Sequence, residues 1–527
     1  MRLPAAFSPL ATPTFRVFWI AQLASSLGTW MQNTGAGWLM TDLSTSPTMV
    51  ALVHVASLAP VFILAPIAGA LADMVDNRKL LSVTMAWMFA AALLLAVLTH
   101  FGLTGPWGLL ALTFAIGIGM AMAGPSWQSL VPDLVPRKEL APAIALNGMA
   151  FNGARAVGPA LAGVLVAAVG TAACFGANAL SYAVVLALLP LIRTATPPSS
   201  TGNIAAAIRD GVRFARASVA LKAVLARDLL YFAAAAPIFA LLPLVARGEL
   251  GAGPQGFGLL LAAMGVGAVT AGFVLPRLRA WASFDRLLML STLGTALGLA
   301  GLALAPVLEV GMAAIFVFGA SWLTGNSCLQ VVLQTSLPTW VRARAISFHQ
   351  VALNFALAAA GLLWGWLAEG LGVRATLGLG ALVAVAAALL GRLRPLLPAA
   401  PAESEIAPRQ VPMAVAPEAA PILLGGLSAV FVTSAWSVPL DRRPAFMALM
   451  EEVGRLRRAA GASGWTLAED IGAPENWIEV FMADGWAEYE RIVGRTSVAL
   501  ASLLERAAGL ASSPPETRIW VSPGARR

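Results

Sequence analysis

Between about residues 15 and 393 the chain passes through twelve apolar stretches, each with the roughly 20 residues that a helix needs to cross the hydrocarbon core of a bilayer. Hydrophobic residues fill 59% of the 527 positions and charged residues only 11%, so a soluble fold would have to expose apolar surface that a lipid-facing bundle requires. The spans are predicted near 15–40, 50–71, 80–101, 106–131, 139–168, 171–192, 222–246, 255–276, 285–306, 309–336, 341–369 and 372–393. The first is entered through Phe15-Arg16-Val17-Phe18-Trp19 with no small-residue cleavage site after it, and reads as a retained helix.

Orientation follows from the cations. With the N-terminus in the cytoplasm, nineteen Lys and Arg residues fall in inner connections and only Arg247 and Arg374 in outer ones. The excess of positive charge then predicts that both termini are cytoplasmic. Up to residue 395 there are 22 basic and 11 acidic side chains, and beyond it 12 and 15, so the net charge of +8 reflects topology and contact with anionic lipid. It gives no support to a nucleic-acid partner. Cys174 and Cys328 fall inside spans, as packing residues and not as a disulfide framework. The three His and two Cys form no metal-ligand spacing, and no cofactor is expected.

Sliding the sequence on itself by 202 residues aligns Gln128 with Gln330, Pro136 with Pro338, Asn152 with Asn354, Gly163 with Gly365, Gly170 with Gly372 and Gly176 with Gly378. Matches at equivalent points of spans 4–6 and 10–12 predict two parallel six-helix repeats related by an axis along the membrane normal. The predicted organisation is an N-terminal half at 1–194, a cytoplasmic link at 195–221, a C-terminal half at 222–395, a Pro- and Ala-rich linker at 396–426 and a cytoplasmic domain at 427–527.

After the second span comes Gly69-Ala-Leu-Ala-Asp73-Met-Val-Asp76-Asn77-Arg78-Lys79, which resembles the GxxxDRxGRRx loop of the major facilitator superfamily but differs at Met74, Asp76 and Asn77. Gly69 permits close helix packing, and Asp73 at a helix end can accept charge-assisted bonds as a latch, with Arg78 beside it. A solvated turn is the competing account of Asp76, Arg78 and Lys79. Span 5 carries Gly158-Pro159-Ala160-Leu161-Ala162-Gly163, similar to the GPxxG element of the superfamily's antiporters, where Pro159 removes a backbone donor while Gly158 and Gly163 admit a neighbouring helix. Plain packing is the alternative there. These six residues, Gly69, Asp73, Arg78, Gly158, Pro159 and Gly163, are the candidate gating set.

Gly28-Thr-Trp30-Met-Gln32, Trp38-Leu-Met, Pro125-Ser-Trp127-Gln128, Leu134-Val-Pro136-Arg137, Ala145-Leu-Asn147 and Trp340-Val-Arg342-Ala-Arg344, in that order, resemble the enterobactin-exporter-like branch, the transmembrane secretion effectors. The resemblance implies a multi-pass protein of the bacterial inner membrane that exports siderophores, drugs or related small metabolites and is not an enzyme. A GxxxxGK[ST] phosphate loop is absent, since none of Lys79, Lys138 and Lys222 follows Gly, so energy must come from a gradient, expected to be one of protons. His54 and His349 are the titrating candidates, and isolated histidines on apolar helices also read as structural. A sensor or scaffold acting through the tail, or an importer, stays open.

Arg155 lies about 16 residues into span 5, where an arginine costs roughly 2.5–3.5 kcal/mol unless paired or facing water. Asp42, Asp73, Asp228, Glu309 and Glu369 are placed nearer helix ends. The candidate substrate-binding set is therefore Arg155 with Asn152, Gln32, Asn33, Gln330 and Asn354, the alternative for each being an interhelical hydrogen bond.

In the tail, 429–438 reads as a strand, followed by an amphipathic helix with Phe446, Met450, Val453 and Leu456 on one face, strands near 465–467 and 477–482, a helix from about 486 to 508, and a strand at 518–521. That β-α-β-β-α-β order predicts a small α+β ferredoxin-like domain. Arg457-Arg458 with Trp465, Glu479, Phe481 and Trp486 is similar to the branch's tail, which itself resembles the antibiotic-biosynthesis-monooxygenase type of dimeric barrel. A dimerising or regulatory module is the leading expectation, with an oxygenase or binding role as the other.

Overall fold

The computed structural model describes residues 5–136, 139–191, 218–336, 339–393, 429–483, 485–494 and 496–521. Among them stand twelve long helices before residue 394: α1 (Pro13–Leu43), α2 (Pro47–Met74), α3 (Asn77–His100), α4 (Pro106–Leu134), α5 (Leu140–Val169), α6 (Thr171–Leu188), α7 (Val219–Leu244), α8 (Pro254–Trp281), α9 (Phe284–Leu304), α10 (Leu308–Ser336), α11 (Thr339–Leu371) and α12 (Val373–Leu390). The predicted link at 195–221 lies outside the described residues up to 217, and the linker at 396–426 lies outside them entirely.

Local chemistry sets the helix starts. Proline, whose missing N–H costs nothing in the first turn, opens α1, α2, α4 and α8. Ser46, Asp76 and Ser283 cap α2, α3 and α9 by accepting from backbone N–H groups. Eleven helices carry a stretch long and apolar enough to span a membrane, and α1 does not. Its 31 residues suffice in length, but Gln22, Ser25, Ser26, Thr29, Gln32, Asn33 and Thr34 interrupt its apolar surface.

The internal repeat holds in the backbone. Adding 202 to the ends of α4 gives those of α10, and the same shift carries α6 onto α12. Between α5 and α6 Gly170 has φ of 98°, and between α11 and α12 Gly372 has φ of 81°, a left-handed conformation that side chains resist. The same tight turn is thus built twice. In the first half α1 packs on α5 and α6, α2 on α4, and α3 on α4 and α6, around a core containing Phe15, Phe18, Leu81, Met85 and Tyr182. In the second, α9 packs on α12.

The C-terminal residues form a separate compact unit. It contains β1 (Val430–Ser437), α13 (Arg443–Ala460), β2 (Gly464–Glu469), β3 (Asn476–Ala483), α14 (Trp486–Gly494), α15 (Val498–Leu510) and β4 (Glu516–Val521). The sheet is antiparallel with strand order β2-β3-β1-β4. Two apolar clusters fill one face, one around Trp436, Phe446, Met450, Val453 and Trp477, the other around Val430, Val432, Phe481 and Ile492. The single helix predicted over 486–508 is two helices. Ser497 accepts the Leu500 N–H at 3.2 Å and starts a new helix just past Gly494, the capping chemistry overriding a continuous apolar pattern.

Candidate functional site

A cavity of about 540 Å³ lies between the two six-helix halves. Gln22, Ser25, Ser26, Thr29, Asn33 and Thr34 of α1 supply its hydroxyl and amide side, while Met85 and Met88 of α3, Met120 and Trp127 of α4, Phe151 of α5 and Phe239, Leu242, Phe257 and Met264 of α7 and α8 supply an apolar and aromatic side. The helix too polar to pass as a membrane span thus supplies the polar side of this space. His54 of α2 lines it and stacks on Phe239 of α7, with ring centroids 5.4 Å apart.

The halves meet at the end where α1 leads to α2 and α11 to α12. Gly163 of α5 approaches the start of α8 so closely that a Cβ there would sit 2.8 Å from the Pro254 carbonyl oxygen, and one on Gly258 would sit 2.7 Å from the Pro159 oxygen. The repeat places the mirror contact at Gly365 of α11, whose Cβ would lie 2.7 Å from that of Ala51 in α2. Charges reinforce this seam. Arg247, in the π-helical turn after α7, pairs with Asp42 at the end of α1, bonds Thr41 Oγ1 at 3.0 Å and stacks on Trp38. Ser46 donates to Glu369 of α11.

Deeper in, the Arg155 guanidinium lies between two indoles, 5.5 Å from the ring centre of Trp30 in α1 and 5.5 Å from that of Trp322 in α10. Trp30 lines the cavity, so Arg155 stands against its wall and bridges the halves through aromatic faces.

A family model for transmembrane secretion effectors matches residues 4–526. The chain belongs to that family of major facilitator transporters. Among curated relatives it is 25% identical over 264 residues, half of this chain and 66% of the relative, to the staphyloferrin A transporter of Staphylococcus aureus. It is 30% identical over 211 residues, 39% of this chain and 50% of the relative, to the enterobactin exporter EntS of Salmonella choleraesuis. The matched parts thus span under two thirds of either protein. Two solved structures share the fold: the nucleoside transporter NupG, with a TM-score of 0.60 at 11% identity over 72% of this chain and 98% of that one, and the xylose transporter XylE from E. coli, with 0.56 at 13% over 72% and 96%. As a member of a transporter family the chain is a multi-pass membrane transporter and not an enzyme.

The sequence-derived candidates of this secretion effector spread over several places. Asn33 lines the cavity. Gln32 is buried beside it, its Oε1 accepting from Asn178 of α6 at 3.1 Å, and Asn178 also donates to Tyr182 at 3.2 Å. Asn354 donates to the Gln350 carbonyl one turn back in α11. Gln330 lies in α10, and the side chains of Asn152, Gly69 and Asp73 lie outside the described residues. Arg78 donates to the Pro190 carbonyl at 3.3 Å, tying the start of α3 to the end of α6, and Gly158 packs against Trp30.

Sequence reasoning placed Asp228 near a helix end and left His349 without a partner. In the structure His349 Nδ1 of α11 and Asp228 Oδ2 of α7 are 2.9 Å apart, and both side chains are fully buried. The available signal was depth: Asp228 is the tenth residue of α7 and His349 the eleventh of α11, the first and fifth helices of the second half, which run the same way through an up-and-down bundle.

Proposed function

We propose that the protein is a secondary exporter of a siderophore or related small metabolite, driven by proton antiport, in which the two halves rock about the cavity. The observation that carries this reading is the cavity itself, polar along α1 and aromatic elsewhere, with close cross-half approaches and an ion pair at one of its ends. Matches to a staphyloferrin A transporter and an enterobactin exporter support the substrate class. The cation distribution supports cytoplasmic termini, which makes the joined end the outer gate. In this reading Asn33 contacts substrate, Arg155, Asn152, Gln32, Gln330 and Asn354 shape or complete the site, Pro159 and Gly163 form the outer seam, and Gly158 seats α5 on α1 beneath it. Gly69, Asp73 and Arg78 latch the inner end in the alternate state.

For the tail we propose self-association through the open face of its sheet, where Phe431, Val480, Ile478 and Trp520 stand and Trp520 is 52% exposed. The sheet order supports a ferredoxin-like module of the kind that pairs face to face. Mass photometry of the full chain should give dimers, and Phe431→Asp should give monomers.

Cells expressing the protein should lose enterobactin or staphyloferrin A faster than vector controls, and a protonophore should abolish the difference. Equal retention of both compounds with and without the protein, or faster uptake, would overturn the export reading. A cysteine placed at Ser199 should stay unlabelled by an impermeant thiol reagent in intact cells; labelling from outside would invert the topology.

A further inference from the structure

We infer that Asp228 and His349 form a proton-binding site of the C-terminal half, loading and unloading one proton as a unit. The inference rests on the proton-antiport reading and deepens it by naming the carrier. Asp228 sits about 11 Å along α7 from the start of its membrane span at Leu221, so a charge there has left the headgroup region. The 2.9 Å contact satisfies one atom on each side chain. Asp228 Oδ1 and His349 Nε2 stay buried with no hydrogen-bond partner among the described residues. A tie between helices needs one bond and no ionisable atoms, whereas this pair keeps two unfilled positions at which a proton can arrive or leave.

With His349 neutral and Asp228 ionised the pair carries one negative charge, and one added proton cancels it whichever atom holds it. A buried net charge is costly, which links the protonation of the pair to whether water reaches it. Among the described residues, the neighbouring charged and titratable groups are engaged elsewhere. On the same helix, Arg227 is committed to Asp285 of α9 at 2.8 Å, and Tyr231 donates to the Ser321 carbonyl of α10 at 2.7 Å. Phe232 faces His349 at 6.1 Å and stands edge-on to Trp322 at 5.2 Å, and beyond Trp322 lies Arg155 of α5. Two rings thus separate the pair from that cation, and the same row of contacts leads from the pair to Trp30 on the cavity wall. The side chains of Arg342 and Arg344 on α11 lie outside the described residues. In the exchange, hydronium on the outer side gives one proton to the pair, forming an O–H or N–H bond and leaving water. After the halves rock, that bond breaks to water on the inner side, one proton entering for one substrate released.

The test needs no ligand in its first part. Acid-minus-alkaline infrared difference spectra of the purified full chain should contain carboxyl and imidazole bands that vanish in Asp228→Asn, shift in His349→Gln and persist in Asp228→Glu. Spectra identical to the parent in both Asp228→Asn and His349→Gln would overturn the site. Should Asp228→Asn fail to purify as a monodisperse species, His349→Gln alone decides, unmoved bands overturning the proposal. In the second part, inside-out vesicles carry out enterobactin exchange at equal pH and accumulation under an imposed pH gradient. Accumulation by Asp228→Asn should fall about tenfold or more relative to that variant's own exchange rate; a parent-like ratio of accumulation to exchange would overturn the carrier role. If the parent's bands titrate but its transport ignores the gradient, the antiport reading fails and the proton site stands.

Discussion

The two halves share a backbone and divide the chemistry. Helices α4 and α10 end at matching positions of the repeat, as do α6 and α12, and Gly163 and Gly365 make mirror contacts across the seam. Yet the first half meets the cavity with neutral hydroxyls and amides along α1, backed by a Gln32–Asn178–Tyr182 network. The second half pairs ionisable side chains: Asp228 with His349, both fully buried, and Arg227 with the partly exposed Asp285. Even the equivalent helix starts differ, since Asp76 caps α3 with its own carboxylate while Ser283 caps α9 and Asp285 bonds Arg227. Repetition has preserved the helix ends and the close approaches, which depend on backbone and small residues, and released the side chains that carry charge. A rocking transporter needs the first to be alike in both halves and has no such need for the second.

The most severe way to break the comparison is to fill the mirror contacts. Gly163→Leu and Gly365→Leu should each cut efflux about tenfold or more, because overpacking the seam costs about 1–3 kcal/mol in the sealed state. Siderophore retention at matched expression would measure it, and a defect in one variant alone would mean that the seams are unequal. A several-fold effect is expected at the loop between α2 and α3. Asp73→Asn should weaken efflux more than Asp76→Asn, since Asn caps a helix about as well as Asp and Asp76 is a cap. Equal activities would remove the latch.

The bridge at Arg155 sharpens the comparison, because it draws one indole from each half. Trp30→Leu and Trp322→Leu should each lower the stability of the detergent-purified protein by about 0.5–2 kcal/mol, and Arg155→Gln by at least as much as either. Thermal unfolding of the three variants would test it, and a parent-like Arg155→Gln would show that the stacking contributes nothing.

The smallest effect belongs to the tail. Arg455 beside Glu452 holds that carboxyl below its usual range, so the pair adds stability above the unfolded carboxylate range that is lost as pH falls through the lower folded value. Glu452 is exposed and Arg455 only partly covered, so solvent screens the pair, and Glu452→Gln should change tail stability at neutral pH by less than about 0.5 kcal/mol. Denaturation followed at neutral and acid pH would check both size and sign.

How far the sequence reached can be seen residue by residue. Apolar length and the 202-residue offset determined the helices, their order and the twofold repeat, because in lipid each segment must satisfy its own backbone and a helix end needs only its cap or its glycine. Alternating apolar positions in the tail likewise gave its four strands. The polarity of α1 was legible as composition, and only the assembled bundle gave it a meaning, as one wall of the cavity. Arg155 was recognisable as an unpaired charge at depth, but the two rings that hold it come from positions 125 residues before and 167 residues after it. Asp228 and His349 stand 121 residues apart, and each alone reads as an ordinary polar residue in an apolar helix. Local sequence decides where a helix runs, through forces that act within a few residues. Which charges become partners depends on how helices distant in sequence rotate and pack, and that the tertiary structure alone decided.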